Sequence, residues 1–280
     1  MRRLEEHGVG SPRRNAEVLL MFVLDCDRAY LYAHPERELT GQEIARYDEV
    51  LDERGRGVPA QYITGHQEFW ELDLIVTPAV LIPRPETEHV VETVLQLAGE
   101  MRGGKGDRVP AGQGPGLRIA DVGTGSGCIA LALAQELPHA ELWGTDISPA
   151  AVEIARLNAA RLQLGERVRW AQADLLQGAE TELDFVVSNP PYVGEGEADK
   201  VQREVKKFEP REAVFAGPQG LDVIARLIPQ ARMHLKAEGW LVMEIGYTQE
   251  APVRALLRDW PEVRTALDLQ GIPRVIAARK

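Results

Sequence analysis

The spacing of apolar and polar positions changes character twice along the chain. Residues 11 to about 56 carry two amphipathic patterns, PRRNAEVLLMFVL and GQEIARYDEVLDERGRG. Apolar residues recur there at helical spacing opposite charged faces, which predicts a small helical region over 1–58. The stretch 59–82, PAQYITGHQEFWELDLIVTPAVLI, is rich in aromatic and β-branched residues. Alternation in FWELDLIV predicts a β-hairpin within an extended linker. PRPETE then opens a helix to about residue 101, with proline early and acids in its first turn. RGGKGDRVPAGQGPG reads as a flexible loop.

From residue 117 onward the pattern is regular. Short apolar runs (LRIADV, AELWGTDI, VRWAQAD, LDFVVS, GWLVMEIG) alternate with helical segments, and two short strands end the chain. Such alternation predicts an α/β domain over 83–280 with a mostly parallel sheet covered on both faces. In SPAAVEIARLNAARL, Ser148 is the expected N-cap and Pro149 the first helical residue. Pro229, inside LDVIARLIPQARMHL, is expected to bend or divide that helix. The polar stretch 193–218 is a candidate lid, or a surface insertion without a role.

Two strand ends carry the chemistry. The strand 117–122 runs into Gly123-Thr124-Gly125-Ser126-Gly127 and then a helix from about Cys128. Alternate glycines let a backbone turn tightly and approach a ligand, and the helix start offers free N–H groups. Asp146 ends the next strand, where an acid accepts ribose hydroxyls. Asp174 ends the strand after that, where an adenine amino group would lie. A dinucleotide fingerprint requires glycine or alanine where Cys128 stands, so the turn fits S-adenosylmethionine, which has no phosphate, better.

Asn189-Pro190-Pro191-Tyr192 follows the apolar run LDFVVS. Two prolines stiffen the segment and remove two N–H donors, leaving carbonyls free to accept. The Asn189 side-chain oxygen and the Pro190 carbonyl can each accept one hydrogen of a planar –NH2 group. Tyr192 can stack on its flat face or shape the slot around it. The alternative is a proline-stiffened loop with a capping asparagine.

Composition narrows the partners. The 280 residues include 43 acids against 32 bases, a net charge of -11, with arginines spread rather than clustered. Duplex-DNA binders gain affinity from clustered basic side chains, so stable nucleic-acid binding is not expected. No apolar run is long enough to span a membrane, and the N-terminus lacks a signal-peptide core, so a cytoplasmic location is expected. Cys26 and Cys128 are expected to be free thiols, and the six histidines show no metal-ligand spacing.

The segments SPRRNAEVLL, PAQYITGHQEFWELDLIVTPAVLIPRPETE, DVGTGSGCIALALA, TDISPAAVEIARLNA, VVSNPPYV and, more weakly, EIGYTQ resemble the HemK/PrmC family of glutamine methyltransferases. The resemblance touches most of the chain from about Ser11. PRPETE combined with NPPY is close to a family signature, whereas NPPY alone is shared with adenine methyltransferases. It implies a Rossmann-like class I methyltransferase domain, with a seven-stranded sheet and S-adenosylmethionine as cofactor. It also implies that the methylated group is a glutamine of a class-1 peptide chain release factor. The helical N-terminal region is expected to recognise that protein substrate, because a glutamine in a flexible loop offers little binding surface of its own; the alternative is a stabilising cap on the catalytic sheet.

Residue by residue, the resemblance puts the glycine turn and Asp146 on the cofactor, and Leu175 beside its adenine. It puts Arg84, Pro85 and Thr87 near the methionine end, with Arg84 and Thr87 among the substrate-binding positions. Helix capping by Thr87 and Glu88 is the alternative. Relatives carry a fuller helix before SPRR, so either the first helix is reduced or Met1 is not the native start. Two other targets stay open: a glutamine of a ribosomal protein, and the exocyclic amine of adenine in nucleic acid.

Overall fold

The computed structural model describes residues 1–101 and 116–280. The expected loop RGGKGDRVPAGQGPG lies outside the described residues except for its last glycine. Met1–His66 together with Val201–Phe208 form one compact unit, and Gln67–Lys200 with Glu209–Lys280 form the other.

The first unit is helical. Its elements are α1 (Arg2–Glu6), α2 (Pro12–Leu24), α3 (Arg28–Ala33), α4 (Gly41–Gly55) and α5 (Ala60–Thr64). Helix α1 is five residues long. A capping box between Thr40 and Glu43 fixes the start of α4. Leu4, Leu19, Val50 and Leu51 make the core. Residues 60–64, expected to be extended, form α5 instead, bounded by Pro59 and a left-handed Gly65. These two stops outweigh the β-propensity of Tyr62, Ile63 and Thr64.

The second unit begins with a hairpin, β1 (His66–Phe69) and β2 (Leu72–Ile75). Its two turn residues, Trp70 and Glu71, both have positive φ without being glycine. Glu88 holds the strained turn by accepting from the Trp70 N–H at 2.9 Å, and Glu136 by accepting from its indole N–H at 2.9 Å. Phe69, Leu72 and Leu74 are buried in the main core, so the hairpin is a packed part of this unit. A single 3₁₀ turn, Pro85–Thr87, leads into α6 (Glu88–Met101).

There follow β3 (Arg118–Val122), α7 (Cys128–Glu136), β4 (Glu141–Asp146), α8 (Pro149–Arg161), β5 (Val168–Gln172) and β6 (Leu183–Ser188). The stretch after β6 is more structured than the expected loop: it carries two 3₁₀ segments and α9 (Arg203–Phe208). Helix α9 belongs to the first unit, where buried Arg54 of α4 pairs with Glu204 at 2.8 Å and also bonds Asn15 and the Val58 carbonyl. The chain ends with α10 (Asp222–His234), β7 (Leu235–Glu244), α11 (Glu250–Leu256), β8 (Glu262–Leu267) and β9 (Pro273–Arg279). Helix α10 runs unbroken through Pro229, because burial of Ile224, Leu227, Ile228 and Ala231 holds it in place.

The seven-stranded sheet has the order β5-β4-β3-β6-β7-β9-β8, with only the pairings of β9 antiparallel. The chain steps outward from β3 to β4 and β5, then returns to place β6 on the other side of β3. This makes a topological switch point between β3 and β6, where ligands bind beyond the carboxyl ends of the strands. Val122 and Ser188 are paired at that end, so the glycine turn and NPPY leave neighbouring strands at the same edge.

Candidate active site

Beyond that edge lies a cavity of about 310 Å³, at the small end of the ~300–1,000 Å³ typical of ligand pockets. Gly123, Thr124, Gly125, Ser126, Asp146, Asp174, Leu175, Asn189, Pro190, Pro191 and Thr87 all line it. Residues separated by more than 100 positions in sequence therefore meet in one place.

The glycine turn is shaped by its backbone. Gly123 and Gly125 have positive φ, and a Cβ added to either would meet nothing within 4 Å, so both leave open space for a ligand. Gly127 does not line the cavity; a Cβ there would press on Trp170, Ala155 and Leu131 at 3.1–3.2 Å. Its role is close packing at the start of α7. Asn158, fully buried on α8, supports the turn from behind. It donates to the Ser126 carbonyl at 2.9 Å and exchanges bonds with both backbone groups of Ile75, tying the hairpin to the turn.

Asp146 accepts from the Gly125 N–H and the Ser148 N–H, each at 2.9 Å. Each oxygen keeps a lone pair for a further donor. Burial raises this carboxyl above its ordinary range, against the pull of those two N–H groups. Asp174 is ion-paired with Arg226, which also lines the cavity. Leu175 has a left-handed backbone, with its carbonyl held by the Thr145 hydroxyl at 2.9 Å. A strained non-glycine residue at a cavity wall is a frequent mark of a functional site.

The sequence pattern gave no role to Glu212, Ile147, Ala213 or Phe215, yet each lines the cavity. The 3₁₀ turn Arg211–Ala213 brings in Glu212, and an isolated parallel bridge pairs Phe215 with Val193. With Asp146, Asp174 and Glu212 facing it, and Arg226 spent on Asp174, the cavity favours a cationic ligand.

NPPY is clamped by residues remote in sequence. The Asn189 Nδ2 donates to the Thr87 hydroxyl at 2.9 Å, and that hydroxyl donates to Glu244 at 2.6 Å. Tyr192, expected to stack on a bound amide, is not at the cavity wall: it packs into the core beneath, and its hydroxyl donates to the other Glu244 oxygen at 3.0 Å. Gln249 donates to the Tyr192 carbonyl at 2.8 Å. Arg84 also stands off the cavity wall, because it pairs with buried Glu209. Glu88 accepts from the Trp70 N–H, which sets its part in the hairpin turn. An acid ending the apolar strand GWLVM was the one signal in the sequence for Glu244, since a buried charge requires partners.

Asp121 lies fully buried beneath the turn. Thr124 and the Ala130 N–H bond one of its oxygens, at 2.6 and 3.2 Å, and the other has no hydrogen-bond partner among the described residues. Burial pushes the carboxyl up to about 7, the two hydrogen bonds pull it down, and the Asp146 charge adds to the rise. The folded state therefore binds more protons than the unfolded state between pH of about 4 and about 7, and stability falls as pH rises through that window. Asp121→Asn is expected to be the more stable protein above about pH 7, by up to a few kcal/mol, since each tenfold change in proton affinity corresponds to ~1.4 kcal/mol. Denaturant unfolding of both proteins from pH 4 to 8 checks this; parallel stability curves would refute it.

Known proteins resemble this chain in both its helical region and its methyltransferase region. A family model described as the PrmC N-terminal domain matches residues 1–65, and one described as the methyltransferase small domain matches 112–207. The chain is 54% identical to a release factor glutamine methyltransferase of Koribacter versatilis, covering 100% of this chain and 95% of that protein. The chain belongs to the release factor glutamine methyltransferase family. A member from Moorella thermoacetica is 43% identical over 92% of this chain and 87% of its own length.

Among solved structures, the N-terminal domain of human METTL16 in complex with SAH aligns with a TM-score of 0.53 at 19% identity, covering 75% of this chain and 76% of that one. A methyltransferase from Pyrococcus furiosus aligns with a TM-score of 0.52 at 16% identity, over 75% and 89%. At these identities the likeness is one of fold: the sheet is that of the class I methyltransferases.

The cofactor of this enzyme family is S-adenosylmethionine, and the cavity fits it. The open faces of Gly123 and Gly125 admit a ligand against the backbone, and the Ser126 hydroxyl, at the cavity wall, is buried without a partner among the described residues. The acidic lining suits a sulfonium. Among the described residues, no helix is long and apolar enough to cross a membrane.

Proposed function

We propose that this enzyme methylates the side-chain amide nitrogen of a glutamine in class-1 peptide chain release factors, giving N5-methylglutamine. The observation that carries the reading is that Asn189 and Pro190 line the same cavity as the glycine turn and Asp146. Acceptors for an amide thus stand beside the pocket that fits the methyl donor.

The bound cofactor supplies a methyl group on a positively charged sulfur. The rest of the task falls to the chain. Asp146 accepts the ribose hydroxyls, and Asp174 and Leu175 border the adenine. An amide nitrogen is a poor nucleophile, because its lone pair is delocalised into the carbonyl. Asn189 Oδ1 and the Pro190 carbonyl each accept one amide hydrogen, which aims the nitrogen and favours positive charge developing on it. Fixed orientation in a water-poor slot contributes up to about 7–11 kcal/mol in favourable cases. No tuned base is needed, since the methylated nitrogen is strongly acidic and releases its proton to water. Thr87 belongs to the support of Asn189, and Tyr192 and Pro191 shape the slot from below and beside it.

The helical region of residues 1–58 recognises the protein substrate. A glutamine in a flexible loop offers little surface, so affinity must come from contacts away from the reacting atoms. The acidic chain, without a basic stripe, favours a protein target in the cytoplasm over nucleic acid. The test is transfer from labelled S-adenosylmethionine, offered separately with release factor, ribosomal protein and DNA. Label on a release factor glutamine is the expected result; label confined to ribosomal protein or to adenine would overturn it.

A further inference from the structure

The arrangement around Thr87 holds a direction. We infer that Glu244 is a positioning residue that sets the polarity of the Asn189 side-chain amide through the hydroxyl of Thr87. This rests on the reading that Asn189 accepts a hydrogen from the substrate amide.

The direction follows from the number of protons present. A threonine hydroxyl has one proton to give and lone pairs to accept with. Thr87 is 1% exposed and has two polar neighbours, Glu244 Oε2 at 2.6 Å and the Asn189 amide at 2.9 Å. Burial raises the Glu244 carboxyl, and the Thr87 and Tyr192 hydroxyls pull it back down by bonding the ionised form; in that form, which the two hydroxyl contacts favour, it only accepts. The single Thr87 proton therefore goes to Glu244, and the hydroxyl can only accept from its other neighbour. Asn189 must then present Nδ2 to Thr87 and Oδ1 to the opposite side.

An asparagine amide is nearly symmetric in shape, so packing alone does not choose between its two orientations. In the flipped orientation an –NH2 group would face the substrate –NH2, donor against donor, and the grip would be lost. Nothing in the NPPY tetrapeptide itself prevents this. Glu244 does so from 55 positions away, at the end of β7. Its second oxygen accepts from the Tyr192 hydroxyl at 3.0 Å, so one acid sets both ends of the tetrapeptide. With both oxygens occupied by hydroxyl donors, Glu244 is fixed as the acceptor of the relay.

The test is steady-state methyl transfer to intact release factor by four full-length variants, with S-adenosylmethionine affinity measured alongside. Glu244→Gln places a donor beside Thr87 and frees the direction of the relay. Thr87→Val removes the hydroxyl with little change of shape. Both are expected to lower kcat by at least about tenfold, with KM for both substrates within about threefold, since the lost interaction acts mainly in the transition state. Thr87→Ser keeps the hydroxyl and is expected to retain most of the rate. Asn189→Ala is the reference.

If Asn189→Ala loses its rate while Glu244→Gln and Thr87→Val keep theirs, the relay is refuted and the role of Asn189 stands. If Asn189→Ala also keeps its rate, the underlying reading falls instead. If Thr87→Ser loses as much as Thr87→Val, or cofactor affinity falls in step with kcat, Glu244 and Thr87 serve the fold alone and the inference is overturned. Should Glu244→Gln fail to fold, the comparison of Thr87→Val with Thr87→Ser decides.

Discussion

Asn189→Ala is expected to lower kcat for methyl transfer by about 100-fold or more, the scale seen when one preorganised hydrogen-bonding group is removed from a transition-state site. The side chain lines the cavity, is half-buried, and has its Nδ2 committed to Thr87. Its remaining oxygen is thus the group offered to a ligand. Because that oxygen matters most when the amide nitrogen gains positive charge, the loss should fall on kcat and leave cofactor affinity within about threefold. Rapid-quench transfer at saturating release factor and cofactor measures it directly. A wild-type rate would remove Asn189 from the chemistry.

Asp146→Ala should act on binding instead. The carboxylate does two things at once: it bonds the Gly125 and Ser148 N–H groups, and it keeps lone pairs turned to the cavity. Loss of a charged acceptor for two hydroxyls corresponds to about 1.5–3 kcal/mol, or roughly 10- to 150-fold in Kd. The glycine turn also loses its tie to β4, so the upper part of that range is expected. Titration calorimetry with S-adenosylmethionine is the measurement, and unchanged affinity would exclude Asp146 from the ribose site.

What the sequence made legible was whatever is contiguous. The glycine turn, Asp146 and NPPY each sit within one strand-and-turn segment, so local pattern found them. Alternating strands and helices announced a parallel sheet, and Ser148 and Pro149 marked the start of α8 as observed. The strand order was not readable, because pairing of β3 with β6 joins segments some 66 positions apart. For the same reason the clamp on NPPY was invisible: Thr87 and Glu244 are separated by 157 positions. Residue type points Tyr192, and the family resemblance points Arg84, toward a ligand, while Glu244 and Glu209 claim their polar ends. In residues 60–64 and in the stretch after NPPY, composition pointed to extended or loop structure, and local capping and packing decided otherwise.

The path of the chain through α9 bears on how such enzymes can be recombined. The backbone leaves the methyltransferase unit after Lys200, lends eight residues to the N-terminal unit, and returns at Glu209. Glu209 is at once anchored by Arg84 and the Ile82 N–H, and the residues just after it, Pro210, Glu212 and Ala213, line the cavity. The chain thus passes between the two units three times rather than once. A chimera that exchanged only residues 1–66 with a relative would set a foreign α4 against the native α9, and the Arg54–Glu204 pair would survive only where the relative also supplies an arginine at that place. Exchange of the N-terminal unit between members of the family must therefore carry 201–208 along with the N-terminal helices, and the two segments are expected to have diverged as a pair.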